Sequence, residues 1–270
     1  MPPGPDAYVH GYSDREHGRL VDQATTLAEL LHHDTRYPPG ASVLEAGCGV
    51  GGQTVALARS SPGARFTCID VSPRSLESAR ERARAEGLEN VAFQQADILD
   101  LPFPESSFDH VFVCFVLEHL PRPDRALSCL RSRLRPDGSL TVIEGDHGSA
   151  LFHPDDADAR RAIECLVTLQ ARAGGDARIG RRLFPLLVEA GLREVTVSPR
   201  IVYADSSRPE WVEGFTRRTF TAMVEGVRGQ ALAAGLLDAA TWERGIEGLR
   251  RSSGPGGVFC YTFFKGVGRR

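Results

Sequence analysis

Lysine is almost missing from this chain. Of the 32 lysine and arginine residues only Lys265 is a lysine, a bias that reads as the codon usage of a GC-rich genome rather than as chemistry. An excess of charge of either sign is missing too, the formal net charge being -3. With no basic surface implied, neither nucleic acid nor an anionic membrane is an expected partner. No apolar run approaches the ~20 residues of a membrane-spanning helix, and the opening Met1-Pro2-Pro3-Gly4-Pro5 shows neither the basic nor the apolar region of an export signal. The six cysteines, at positions 48, 68, 114, 129, 165 and 260, lie far apart and form no CxxC pair. Reduced, buried thiols and a cytoplasmic location are expected.

What is present fits one large α/β domain, 1–270. Hydrophobic residues make up 41% of the 270 positions, enough to cover both faces of a sheet. Short apolar runs predict strands at Ser42–Ala46, Arg65–Asp70, Val91–Gln95, His110–Phe115 and Ser139–Glu144. Helical patterns lie between them at Gln53–Arg59, Pro73–Glu86 and Pro123–Leu134. Strands that are apolar almost throughout, alternating with helices, imply a doubly wound parallel sheet with both faces covered. Residues 1–39 read as an N-terminal helical cap, with Leu20, Ala24, Leu27, Leu30 and Leu31 at helical spacing, and 40–150 as the core. Beyond it, 151–191 and 206–252 are helical and more numerous than plain crossovers require, so they are expected to fold over the carboxyl ends of the strands as lids. The runs at 192–205 and 257–268 form a terminal strand pair.

Chemistry concentrates where the first strand ends. Val43-Leu44-Glu45-Ala46 runs directly into Gly47-Cys48-Gly49-Val50-Gly51-Gly52, a turn whose backbone a ribose, phosphate or carboxylate can approach closely. The pattern satisfies both GxGxG and GxGxxG, so the glycines alone also allow a nicotinamide- or flavin-dependent oxidoreductase. Glu45 weighs against a dinucleotide, since a carboxylate there repels a pyrophosphate and suits an ammonium group. About 20 residues after the turn, Asp70 ends the second strand, where an acid accepts hydrogen bonds from ribose hydroxyls. Its alternative role, capping the helix from Pro73, falls better to Ser72. Asp97 and Ile98 close the third strand with a carboxylate for an adenine amino group and an apolar side chain for the ring.

In this order the stations resemble class I S-adenosylmethionine-dependent methyltransferases, over roughly residues 40–147 and the final strand pair. The similarity is to the ubiquinone-biosynthesis-like small-molecule branch, through Val113-Cys114-Phe115-Val116-Leu117-Glu118-His119-Leu120 and the turn Leu134-Arg135-Pro136-Asp137-Gly138, where Asp137 replaces a family glycine. The resemblance implies a seven-stranded sheet in the order 3-2-1-4-5-7-6 with the last strand antiparallel, and S-adenosylmethionine as cofactor. It implies cofactor contacts from Glu45, Gly47, Gly49 and Gly51 with neighbouring Gln53, from Asp70 with Val71, from Asp97 and Ile98 with Ala96, and from Phe115 and His119. Tyr12 and Gln23 of the leader are candidates for touching the methionine end or the acceptor, and Arg19 for pairing with the methionine carboxylate. The leader and tail further resemble microbial small-molecule enzymes that methylate dithiol natural products.

The acceptor side is less defined. His119, Asp146 and His147 stand at or past the ends of strands four and five, where a small-molecule acceptor should sit, and are the catalytic candidates. Each also has a plain structural role open to it, in a helix cap or a turn. Glu144-Gly145-Asp146-His147 lacks the further acidic cluster a metal site needs, so no metal is expected. With no concentrated base cluster in the sequence, a soft thiol acceptor is favoured over a hydroxyl, and a monomer or homodimer is expected. Asp70→Ala should weaken S-adenosylmethionine binding by about 1.5–3 kcal/mol through lost hydrogen bonds to a charged group. Calorimetry checks this, and unchanged affinity would remove Asp70 from the site.

Overall fold

The computed structural model describes the backbone of residues 14–270 and all their side chains except those of residues 14–17 and 21. Five parallel strands form the centre: β1 Ser42–Ala46, β2 Arg65–Asp70, β3 Val91–Gln95, β4 Phe108–Cys114 and β5 Leu134–Gly145. Three more follow, β6 Leu151–His153, β7 Arg193–Ala204 and β8 Val258–Arg269. Their order is β3-β2-β1-β4-β5-β8, with β7 on the far side of β8 and β8 antiparallel to both β5 and β7. This is the order implied by the family resemblance, with one addition. The short β6 pairs with the start of β8, Leu151 opposite Cys260, beyond the point where β5 leaves it. Three residues are too few for any periodicity to announce such a strand.

Both faces are covered, as the apolar strands require. On one face Leu27 and Leu31 of α1 (Asp14–His32), Leu57 of α2 (Gly52–Ser60), Leu76 of α3 (Pro73–Ala85) and Leu166 of α5 (Ala157–Arg172) are buried with Trp242 and Ile246 of the helix Ala239–Arg251. On the other, Leu127 and Leu130 of α4 (Pro123–Arg133) join Leu183 and Leu187 of α6 (Leu183–Glu189). The helical insertions divide between the faces of the sheet and the strand ends. α6 lies on the sheet, because Leu187 fills the space left by Gly266, and α5 packs in the opposite core. The segment that overhangs the strand ends is Val212–Thr221, wound as a π-helix and continued by the α-helical Ala222–Gly226.

Lys265, read from the sequence as a compositional accident, has a structural task. It sits on β8 at 4% exposure, donating to Asp34 Oδ1 (2.5 Å) and Thr35 Oγ1 (2.6 Å) just past the end of α1. Arg200 of β7 pairs with the same carboxylate. Although partial burial opposes it, these two cations hold Asp34 down to about 2. The leader helix is thus tied to the antiparallel edge of the sheet by charge as well as by Leu27 and Leu31.

The sheet order reverses between β1 and β4, so a crevice opens at their carboxyl ends. Gly47 lines it under two constraints. Its φ is +76°, and a Cβ there would stand 2.4 Å from Val116 Cγ2 in the segment leaving β4. Gly49 also has positive φ, +52°, but open space where its Cβ would be. Gly47→Ala should therefore destabilise the fold by roughly 2–4 kcal/mol and Gly49→Ala by only about 1 kcal/mol. Urea unfolding of the two variants measures the order, and equal losses would show that Val116 simply moves aside.

Candidate active site

Backbone amides fix the acids that rim the crevice. Asp70 Oδ2 accepts from Gly49 N (2.9 Å) and Oδ1 from Ser72 N (2.9 Å), so both oxygens are oriented by backbone amides. Ser72, not Asp70, caps α3, its hydroxyl accepting from Ser75 N. Ala96 N donates to Asp70 O, which brings the third strand's tip alongside the second. Asp97 Oδ1 accepts from Leu99 N (2.8 Å), and Ile98 is buried among Leu44, Ala46 and Ile69, forming the floor rather than an open face. Val71 is exposed at the lip and its carbonyl accepts from Gln95 Nε2.

Glu45 lies deeper, 2% exposed behind the glycine turn, with Thr54 donating to Oε2 (2.7 Å). Burial pushes its carboxyl up to about 7, tempered by hydrogen bonds from Thr54 and Cys68 and reinforced by Asp70. Burial likewise raises Asp70. Two carboxylates that burial makes reluctant to ionise suit a cofactor bearing a sulfonium and an ammonium group. Gln53, at the start of α2, accepts from His32 Nε2 (2.5 Å) and serves to dock α1.

A second, partly enclosed cavity of about 50 Å³ adjoins the crevice past β4. The segment after β4 is the shared wall: Val116 packs on Gly47, while Phe115, held at φ +58°, Glu118 and His119 line the cavity. Phe263 and Tyr261 of β8 form another wall, Arg19, Leu20 and Gln23 of α1 a third. The π-helix closes the top with Phe215, Thr219 and Phe220. Its hydrogen bonds reach five residues back, as Thr219 Oγ1 to Gly214 O also does (2.8 Å), so residues four and five apart share the inward face.

A family model described as a methyltransferase domain matches residues 43–138. The 27-O-demethylrifamycin SV methyltransferase of Amycolatopsis mediterranei is 30% identical over 241 residues, spanning 87% of this chain and 80% of that one. This chain belongs to the class I S-adenosylmethionine-dependent methyltransferases. A 37.1 kDa protein encoded in transposon TN4556 of Streptomyces fradiae is 34% identical over 237 residues, 87% of this chain, and the chain spans 64% of that protein's length. Among solved structures, the [4+2]-cyclase SpnF superposes with a TM-score of 0.57 at 22% identity, over 92% of this methyltransferase chain and 81% of its own. That likeness is one of fold alone, and a cyclase on it shows that fold does not fix reaction.

Within the methyltransferase frame the candidates separate. His147 stands on the turn after β5, 6% exposed and lining the cavity, with Nδ1 2.7 Å from Tyr261 Oη. Burial lowers its pKa, against the pull of Glu118, so it is neutral near pH 7. His119 lines the same cavity, its Nε2 3.5 Å from Glu118 Oε1. Asp146, the third catalytic candidate, is engaged by a cation. Its carboxylate takes both Arg181 Nε (2.7 Å) and Nη2 (2.9 Å) and accepts from Gly148 N, so it shapes the turn carrying His147 and does not line the cavity. Arg19 donates to Gln23 Oε1 (3.0 Å), both facing the cavity, whereas Tyr12 lies outside the described residues.

Sequence reading missed Glu118, Tyr261 and the inward aromatics of the π-helix. Glu118 is 7% exposed and receives Gln170 Nε2 at its carboxylate (3.2 Å). Its signal was the Glu-His pair directly after strand four. Tyr261 and Phe263 alternate with outward residues along β8, which marks a buried face but not a site.

Glu45 yields a pH test. Its folded value, about 7, exceeds the ordinary 4.5, so the stability it contributes is complete below pH 4.5 and is lost as pH rises through 7. Glu45→Gln keeps the Thr54 hydrogen bond without ionising. It should stabilise the protein at pH 8, relative to its effect at pH 5, by roughly 2–3 kcal/mol in urea unfolding; the same effect at both pH values would mean that Glu45 ionises freely.

Proposed function

We propose that the protein methylates a hydroxyl oxygen of a small, largely apolar molecule of the microbial secondary-metabolite kind. The observation that carries this reading is a buried histidine in a cavity walled by Phe115, Phe215, Phe220 and Phe263, next to the crevice of the methyl donor. The thiol expectation rested on a lack of concentrated bases. With Glu118, His119 and His147 around one cavity, that argument falls away. A hydroxyl of high pKa needs such a base, whereas a thiol needs little help. The Amycolatopsis relative, named for a 27-O-demethyl substrate, supports the same atom type.

S-adenosylmethionine, when bound, supplies an electrophilic methyl group. The residues that would hold it are the Gly47–Gly51 backbone, Asp70 and Asp97, with Glu45 countering its positive charge. The aromatic walls exclude water and fix the acceptor's approach. His147 takes the hydroxyl proton at Nε2, the ring nitrogen not engaged by Tyr261. A nicotinamide dinucleotide fits less well, since Glu45 would meet its pyrophosphate with like charge. The free cysteines suit the reducing cytoplasm, and we take the acting species to be a monomer or homodimer.

The test is a panel of aromatic hydroxyl, thiol and amine acceptors, followed by S-adenosylhomocysteine release. Hydroxyl acceptors should turn over, and His147→Ala should lower their kcat by about 10²–10⁴-fold. Turnover confined to thiols would replace the acceptor atom, and failure to bind S-adenosylmethionine at millimolar concentration would end the reading.

A further inference from the structure

His147 can act as a base only if its proton sits on the ring nitrogen away from the acceptor. That condition depends on one contact. Nδ1 lies 2.7 Å from the hydroxyl of Tyr261, a residue 2% exposed and 114 positions further along the chain. The hydroxyl is seated against Gly145, where a Cβ would come within 2.4 Å of it, so the last residue of β5 must lack a side chain for the tyrosine to reach the histidine. The ring is held independently of its hydroxyl, among Phe215, Phe220 and Phe263 at centroid distances of 5.5, 5.4 and 4.8 Å. Burial keeps Tyr261 a phenol by pushing its pKa well up, so its oxygen remains able both to donate and to accept.

We propose that Tyr261 is the positioning residue for His147, its oxygen accepting the Nδ1–H so that Nε2 faces the cavity as a lone pair. The assignment rests on the methyl-transfer reading and specifies its base. The tyrosine oxygen also takes a backbone hydrogen bond at Asp146, and since the residue lines the cavity its own O–H has somewhere to point when both lone pairs accept. On proton transfer from the acceptor, the acceptor O–H bond breaks, Nε2 gains the proton, and the Nδ1–H to oxygen bond persists in the imidazolium. The charged and titratable groups around the ring are Glu118 and His119 after β4, Asp146 on its own turn and Arg19 from α1. Of these the two carboxylates favour the imidazolium, while His119 and Arg19 oppose it. The opposite proton placement, Tyr261 donating to Nδ1, would leave Nε2–H toward the cavity and make His147 a donor, not a base.

Nitrogen NMR of the ¹⁵N-histidine-labelled protein at pH 7.5 decides between them, with the His147 signals assigned by their loss in His147→Gln. The expected result is a neutral ring protonated at Nδ1. In Tyr261→Phe, which keeps the packed ring and removes only the hydroxyl, the ring should shift toward protonation at Nε2. With any hydroxyl acceptor that the wild type turns over, kcat should then fall roughly 10- to 100-fold while the Kd for S-adenosylmethionine stays within twofold. A wild-type ring protonated at Nε2 overturns the proposal, as does a Tyr261→Phe protein with kcat within twofold of wild type. The nitrogen shifts are read without donor or acceptor, so they stand even if methyl transfer itself is refuted.

Discussion

Everything in the site hangs on the close approach of two chain segments at the reversal of the sheet. Gly47, leaving β1, and Val116, leaving β4, touch where no side chain fits on the former. That contact sets the depth of the crevice on one side and aims Phe115, Glu118 and His119 into the cavity on the other. Crevice and cavity are therefore divided by a single turn of backbone. Glu144 reinforces it from β5, its Oε1 accepting from both Val116 N (3.0 Å) and Leu117 N (2.7 Å). A buried carboxyl that satisfies two otherwise unpaired amides is a strong local restraint, because any rotation of the segment strands polar groups out of water.

The electrostatics of the two spaces differ in sign of demand. The crevice holds Glu45 and Asp70, acids whose burial makes them costly to ionise until a cation arrives. The cavity holds a histidine that burial keeps neutral, among aromatic rings and a minority of polar groups. A positively charged donor set beside an uncharged, largely apolar acceptor is the pairing these environments accommodate with least desolvation. Binding the cation offsets the negative potential of the acids in the crevice without adding charge to the cavity.

The parallel core was legible because each of its strands is a short apolar run closed by a chemically distinctive tip. β1, β2 and β3 begin and end at the residues expected from Ser42, Arg65 and Val91 onward. The glycine turn, Asp70 and Asp97 could be read in order for the same reason: they are local to strand ends. Even the replacement of a family glycine by Asp137 was accommodated, the aspartate adopting φ +61°. What escaped reading is non-local. Tyr261 meets His147 only once β8 has returned antiparallel to β5. The π-helix, rich in threonine and carrying Gly214, has no local pattern that announces its winding, so its wider face emerges only against α1 and β8. An acid beside a histidine looks catalytic in one dimension, whereas in three Arg181 engages the carboxylate of Asp146.

Lys265 carries a practical corollary. Its ammonium group is enclosed between β8 and the end of α1 and engaged by Asp34 and Thr35. The folded protein consequently offers no side-chain primary amine to an acylating reagent. Succinimidyl dyes and amine-coupled sensor surfaces will not capture it through lysine, and glutaraldehyde has no ε-amino group on its surface to bridge. Half-buried Cys129 and Cys260 are then the natural handles, and fresh reactivity of Lys265 toward such reagents would report that the leader helix has come away from the sheet.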